Sequence, residues 1–260
     1  MKIGIRGLGL IGGSFEKAFN RAGHETVDLK NAPAAAIGEC DFVFVCLPPL
    51  MVAPWVMEHA DDFAEGAIVT DAAGVKGTVC DALRETAKSS RWTYIGGHPM
   101  AGKEVSGYAN SSEDLFDGAS MILTPYEWTP TSETQRLKSL LLEIGFSKCV
   151  ETTTAHHDEM IAYTSQLAHV VSSAYVRDGL AKSHDGFSAG SFQDMTRVAT
   201  LDPELWTDLF LSNRAMLDGV LTRLIDRLSG YRDAIRSSDA AKLKALLAEG
   251  RAAKGELQCR

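Results

Sequence analysis

The sequence predicts an α/β N-terminal part, a doubly wound parallel sheet over residues 1–152, followed by an all-α C-terminal part over residues 153–260. Two observations carry that reading. Apolar runs of β type recur at residues 2–6, 25–29, 41–47, 67–71, 92–96 and 120–124, with longer mixed segments between them. Such alternation implies βα units and a parallel sheet. From about residue 152 the β-type runs stop, proline is absent until Pro203, and Met160, Ile161, Leu167, Val170, Val171 and Ala174 recur at helical spacing.

The first run leads directly into Gly7-Leu8-Gly9-Leu10-Ile11-Gly12 and a segment bearing Phe15, Ala18 and Phe19. Between a strand and a helix, these glycines allow a tight turn, close approach of backbone to a pyrophosphate, and tight helix–sheet packing. The helix N-terminus supplies N–H donors to the anion. This is the dinucleotide-binding signature of a Rossmann-type sheet, and all six residues are candidates to hold the cofactor. At the end of the second run Asp28 lies where it can accept from a ribose 2′-OH, which favours NAD. Lys30 could instead meet a 2′-phosphate, so NADP stays open.

Residues 30–40 hold only an Ala-rich stretch with Pro33, too short for a strand and two helices, so one strand of the usual six is expected to be missing or abbreviated. Residues 41–47 are nearly continuous in apolar character, as a central strand covered on both faces requires. The loops after the third and fourth runs begin Leu47-Pro48-Pro49 and Asp71-Ala72-Ala73-Gly74-Val75-Lys76. Leu47, Pro48, Asp71 and Ala72 are therefore candidate cofactor neighbours, although Pro, Gly and Asp also end strands simply to turn the chain. The fifth run precedes Gly96-Gly97-His98-Pro99-Met100-Ala101-Gly102. Open parallel sheets keep their chemistry outside the carboxyl ends of the strands, which makes His98 a candidate proton handler.

In the helical part a long helix is expected over residues 155–181, with Ser165, His169 and Ser172 forming a polar stripe on an otherwise apolar segment. Asp202-Pro203 reads as an N-cap followed by proline at the first helical position, and Ser238-Asp239 opens a last helix. The apolar residues of 217–228 fit a subunit seam, and a private core explains them equally well. Arg197 carries a guanidinium fork suited to a carboxylate, or it serves as a surface salt-bridge residue. The run His156-His157-Asp158 is rejected as a metal site, because adjacent helical positions diverge and no H-x-x-x-H or Cys pair accompanies it.

Bulk composition narrows the partners. The 260 residues are 45% hydrophobic and 23% charged with net charge -8, as in an ordinary globular chain, and no basic block offsets the acidity. Nucleic acid and anionic membranes are thereby disfavoured, and an anionic substrate needs local positive charge. Five cysteines, at 40, 46, 80, 149 and 259, never form C-x-x-C and read as reduced, core-type residues, which points to the cytoplasm. The motif begins too early for a cleavable leader. No stretch approaches the ~18 uninterrupted apolar residues of a membrane span.

Taken in order, Gly7 to Gly12, Asp71-x-x-x-x-Lys76-Gly77, His98-Pro-Met-Ala-Gly102, His157-Asp158, Gln166-Leu-Ala-His169, Phe192-x-Asp-x-Thr-Arg197 and Asp202-Pro-x-x-Trp206 resemble the prephenate and arogenate dehydrogenases of tyrosine biosynthesis. The resemblance covers nearly the whole chain. It implies an NAD(P)-binding half, a helical half that forms a homodimer, and a site between the two. It also implies oxidative decarboxylation of prephenate to 4-hydroxyphenylpyruvate, or of arogenate to tyrosine. By the same resemblance His98 handles the ring hydroxyl, Arg197 holds a substrate carboxylate, and His169 and Gln166 line the pocket. Gly74 stands where many members carry Ser, and Lys103 where Thr is common, so both bear on the substrate site. The absence of a mutase segment before Met1 and of a regulatory domain after Arg260 makes a monofunctional chain the expectation.

Two other readings compete. One is a different two-domain dehydrogenase of the hydroxyacid or imine-reducing kind, which uses a Lys or another acid in its helical half. The other is a non-catalytic nucleotide-binding sensor, against which the presence of both His98 and Arg197 argues.

Overall fold

The computed structural model describes residues 1–103 and 105–258; Cys259 lies outside the described residues. Seven strands form one sheet in the order β2-β1-β3-β4-β5-β6-β7: β1 Lys2–Arg6, β2 Glu25–Asp28, β3 Phe42–Val45, β4 Ile68–Asp71, β5 Thr93–Pro99, β6 Ser120–Pro125 and β7 Lys148–Glu151. Helices α1 Leu10–Arg21, α3 Pro49–Glu58, α4 Gly77–Ser89 and α5 Thr131–Glu143 connect them, and only the four-residue α2, Ala34–Ile37, separates β2 from β3. Residues 30–40 contribute no strand, in line with the expectation that one would be missing or abbreviated there, and β2 stands at the sheet edge.

Side chains alternate between the two sheet faces, and each face has its own core. On one face Ile3, Ile5, Phe42, Phe44 and Ile68 pack with Phe15 and Phe19 of α1 and Leu137, Leu140 and Leu141 of α5. The Phe15 ring lies 4.3 Å from Phe116 and 4.7 Å from Phe44 between centroids. On the other face Val43, Val45 and Val69 pack with Val52 and Val56 of α3 and Val79 and Leu83 of α4. This double cover explains why β3 reads as unbroken apolar sequence.

Two strand features depart from expectation. The pairing of β5 with β6 is antiparallel, His98 standing opposite Ile122. Among the described residues between Pro99 and Ser120 there is one 3₁₀ turn, Tyr108–Asn110, and no crossover helix of the kind a parallel return needs. β7 was not anticipated, because only Cys149 and Val150 are apolar in that four-residue edge strand.

The helical part begins with α6 Thr154–Ile161, a π-helical turn Ala162–Gln166, and α7 Leu167–Tyr175. Thr153 caps α6 by accepting from the His156 N–H at 3.2 Å. The helix stops at Tyr175, short of the expected residue 181, because Asp178 accepts from the Leu180 N–H and starts a separate 3₁₀ turn. Then follow α8 Gly190–Thr196, α9 Pro203–Ser212, α10 Arg214–Arg236 and α11 Ala240–Gln258. Asp202 caps α9 as its sequence position predicted, with Oδ1 accepting from Glu204 and Leu205 at 3.0 Å each. Met1–Arg214 forms one compact unit and Ala215–Arg260 a second. Within the second, the Tyr231 hydroxyl donates to the Leu246 carbonyl at 3.0 Å and ties α10 to α11.

Candidate active site

The β1–α1 turn is shaped by its glycines. Gly7 has φ +100°, and a β-carbon there would sit 2.5 Å from the Cys46 carbonyl oxygen; one on Gly12 would sit 2.0 Å from the Gly7 oxygen. Either contact would drive the turn apart. A β-carbon on Gly9, by contrast, would meet nothing within 4 Å, and no side chain caps α1. The first-turn N–H groups of α1 thus face an open cradle, which is the arrangement a dinucleotide pyrophosphate requires. Leu8, Leu10 and Ile11 are partly buried around that turn, and Leu47 Cδ2 would lie 3.2 Å from a β-carbon on Gly7. Pro48 is exposed at the same edge. Asp28 and Lys30 are both exposed at the end of β2, where Asp28 Oδ1 accepts from the Lys30 backbone N–H at 2.9 Å.

Asp71 sits deeper. Its carboxylate is fully buried and accepts from the Ala73 N–H at 2.8 Å, the Tyr94 hydroxyl at 2.5 Å, the Gly97 N–H at 3.3 Å and the ammonium of Lys76. Lys76, also fully buried, donates in addition to the Gly97 carbonyl. The pair braces the ends of β4 and β5 from beneath, while partly buried Ala72 packs into the α1-side core. A β-carbon on Gly97 would lie 2.5 Å from the Asp71 backbone carbonyl oxygen, so the close approach of β4 and β5 at this point needs glycine.

β5 runs past β4: their last paired residues are Thr70 and Ile95, and His98 lies three positions beyond, where β5 pairs with β6 alone. His98 reaches a cleft of about 940 Å³ that also receives Gly74, Lys103, Gln166, His169 and Arg197. Those six residues, drawn from five separate segments, are the ones the sequence assigned to catalysis and substrate. The cofactor candidates Gly7 to Gly12, Asp28, Leu47, Pro48, Asp71 and Ala72 are not among its lining residues.

Behind His98 lies a hydrogen-bonded chain that sequence reasoning did not assign. His98 Nδ1 stands 2.9 Å from His157 Nε2, and His157 Nδ1 stands 2.7 Å from Asp158 Oδ1. Asp158 also accepts the Lys76 N–H on Oδ1 and the Gly77 N–H on Oδ2, both at 2.8 Å, at the start of α4. A carboxylate only accepts, so His157 Nδ1 carries the proton; neutral His157 then accepts on Nε2, and His98 must donate from Nδ1. The consequence is a lone pair on His98 Nε2, the nitrogen that lies towards Gly74.

Electrostatics favour the same state. Burial, then the neighbouring His157 and Lys76, hold His98 well below the ordinary histidine range. Burial also lowers His157, against the opposing pull of Asp158. Burial alone would raise Asp158, but hydrogen bonds from His157, Lys76 and Gly77 outweigh it and keep the carboxyl below its ordinary value.

The remaining wall is organised by Asn213. Its Nδ2 donates to the Asp158 carbonyl at 2.9 Å and to Gln166 Oε1 at 2.8 Å, while Gln166 Nε2 donates to the Leu209 carbonyl at 3.1 Å. Gln166, nearly fully buried, acts as a strut behind the cleft. His169 Nδ1 donates to the Val198 carbonyl at 3.0 Å and its ring stacks obliquely on Trp206, with 4.0 Å between centroids. Of the predicted polar stripe, Ser165 and His169 line the cleft, whereas Ser172 is buried with no partner for its hydroxyl. The π turn Ala162–Gln166 contains Ser165, so the regular helical spacing that the stripe assumed does not hold between Ser165 and the two residues of α7.

His157 and Asp158 were visible as part of a motif, but their chemistry depends on residues 59 and 81 positions away.

Residues 9–149 match the family model of the prephenate dehydrogenase nucleotide-binding domain, and residues 153–249 that of the prephenate dehydrogenase dimerization domain. The chain belongs to the prephenate dehydrogenase family. Among its relatives, the cyclohexadienyl dehydrogenase of Zymomonas mobilis is 31% identical over 231 residues, which is 86% of this chain and 76% of that protein. The prephenate dehydrogenase of Bacillus subtilis is 29% identical over 266 residues, covering 92% and 71%. The crystal structure of Synechocystis arogenate dehydrogenase superposes with a TM-score of 0.84 at 28% identity, over 99% of this chain and all of that one. The Rossmann-type sheet and helical C-terminal part are those of this family.

Proposed function

We propose that this chain is an NAD-dependent prephenate dehydrogenase that converts prephenate to 4-hydroxyphenylpyruvate by oxidative decarboxylation. The observation that carries the proposal is the acceptor-ready Nε2 of His98 in the same cleft as the Arg197 guanidinium. When bound, oxidised NAD supplies the acceptor for the hydride leaving the hydroxyl-bearing ring carbon. The N–H groups of Gly7 to Gly12 and the first turn of α1 would hold its pyrophosphate, and Asp28 its ribose diol through the oxygen that Lys30 does not use. Asp28 is what favours NAD over NADP.

His98 draws the proton from the ring hydroxyl as that oxygen becomes carbonyl-like, which a neutral imidazole does without prior deprotonation. Arg197 grips a substrate carboxylate by charge-assisted bonds, and exposed Lys103 adds a second positive charge in a protein whose net charge is -8. His169 offers Nε2 to the substrate, its Nδ1 being spent on Val198. Carbon dioxide leaves from the opposite ring position, and aromatisation drives the step.

Arogenate is the alternative substrate, giving tyrosine directly. Among the described lining residues the one acid is Asp202, whose Oδ1 already caps α9, so an ammonium group finds little to bind. That favours the keto acid. NADH formation measured with each substrate and each of NAD and NADP tests the reading. Rapid turnover of prephenate with NAD is expected, lowered by about 10²–10⁴ in His98→Asn; no reduced cofactor with either substrate would overturn it.

We assign nucleotide binding to residues 1–152 and substrate and subunit contacts to 153–260, with a homodimer as the working assembly. The match to a dimerization-domain model supports this. So do the exposed Ile225, Leu228 and Ile235 of α10 and Leu247 of α11 within the second unit. No described helix is long and apolar enough to cross a membrane. The four cysteines among the described residues are free, burial raising Cys40 to about 11 and Cys80 to about 12, which fits a reducing, cytoplasmic setting.

A further inference from the structure

We infer that His157 is the destination of the proton released in the chemical step, so that His98 relays the proton instead of keeping it. The inference rests on the reading of His98 as the base. In one concerted movement the O–H bond of the substrate ring hydroxyl breaks and an N–H bond forms on His98 Nε2. At the same time the Nδ1–H bond of His98 breaks and an N–H bond forms on His157 Nε2. His98 ends neutral with its tautomer reversed. His157 ends as the cation, donating from Nδ1 to Asp158, and the proton returns by the same path after product leaves.

Geometry provides the path: 2.9 Å between His98 Nδ1 and His157 Nε2, then 2.7 Å between His157 Nδ1 and Asp158 Oδ1. The charges around it provide the direction. A cation held on His98 would face the buried Lys76 ammonium, which is bonded to the Gly97 carbonyl next to it, and the nearby Asp71 is already committed to Lys76. A cation on His157 instead touches the Asp158 carboxylate. That carboxylate is itself anchored by the Lys76 and Gly77 N–H groups at the start of the thirteen-residue α4, where the helix favours negative charge. Burial and the Lys76 charge lower both imidazoles, but His157 alone has Asp158, and beyond it Asp71, pulling the other way. Gly74 contributes no hydroxyl to share the proton on the cleft side.

The test needs first the unaltered enzyme. Single-turnover NADH formation from prephenate and NAD in mixtures of light and heavy water avoids masking by product release. Two protons in flight give a bowed dependence of rate on deuterium fraction; a linear dependence overturns the relay. His157→Gln then separates placement from transfer, because the amide oxygen still accepts from His98 Nδ1 but cannot take the proton. The rate should fall about tenfold or more and the dependence become linear; a rate within about twofold of the parent overturns the relay. Imidazole ¹⁵N resonances of the full chain give a readout independent of turnover. On acidification His157 should take up the proton before His98, and the reverse order counts against the inference. Normal turnover of His98→Asn overturns the base assignment and the relay with it, whereas a slow His98→Asn beside a linear dependence in the unaltered enzyme overturns the relay alone.

Discussion

A β-carbon on residue 74 would lie 3.8 Å from His98 Nε2 and 3.3 Å from Leu209 Cδ2. Gly74 therefore leaves the reactive nitrogen uncovered, and a serine there could place its hydroxyl on that nitrogen once the Leu209 tip yields by a few tenths of an ångström. Such a bond occupies the base before substrate arrives. Gly74→Ser is expected to lower kcat/KM by roughly two- to tenfold, the worth of one ordinary hydrogen bond. Gly74→Ala, which meets Leu209 without offering a hydroxyl, should cost less. Steady-state rates for the two variants decide this, and equal losses would assign the whole effect to crowding.

Arg197 is expected to act on binding more than on chemistry. Arg197→Ala removes a charged hydrogen-bond donor worth roughly 1.5–3 kcal/mol, so KM for prephenate should rise about 10- to 100-fold while kcat changes little. An unchanged KM would place the carboxylate elsewhere in the cleft.

The pH profile follows from the depressed histidines. Because His98 is held well below its ordinary value, the acid limb of kcat/KM should inflect below pH 6.5. The same shift has a stability consequence. The unfolded chain binds protons on His98 and His157 that the fold resists, so stability is lost as pH falls below about 6.5. The slope reaches at most about 1.4 kcal/mol per pH unit for each imidazole. Urea midpoints that stay constant from pH 7 to pH 5.5 would contradict that sign.

Lys76 and Asp71 should be intolerant of single replacement. Lys76→Met strands a fully buried carboxylate, at a cost of roughly 3–5 kcal/mol in unfolding free energy. Pairing it with Asp71→Asn should recover part of that loss, because no uncompensated charge remains. Chemical denaturation of the single and double variants measures the difference, and a double variant no better than Lys76→Met would show that Asp71 matters for its bonds to Tyr94, Ala73 and Gly97.

Much of this molecule is legible in its sequence because the relevant signals are local. The Gly7 to Gly12 turn, the Asp202 cap and the alternation of Phe42, Val43, Phe44 and Val45 each depend on neighbours a few positions away. His98 could be placed from the strand before it. The antiparallel direction of β6 is less visible, since an apolar run carries no direction and the deciding fact is the missing crossover helix. The support of His98 is not local at all. Asp158 matters because residues 76 and 77 present N–H groups to it, and Asn213 because it spans Asp158 and Gln166. Nothing in the spacing of these residues measures such approaches, so His157-Asp158 could be seen as a pattern without a task.

The π turn at Ala162–Gln166 gives the cleft wall a phase of its own. Such a turn holds one more residue than an α-helix would over the same rise. Deleting a residue from it would restore a regular helix and leave the sheet and the His98–His157 contact in place. It would also swing everything after it by about 100°. His169 would turn away from Val198 and Trp206, and one side of the substrate chamber would rotate out of use. In this chain a helical irregularity sets the orientation of a functional surface, so insertions and deletions there act as a dial on the chamber and leave its floor untouched.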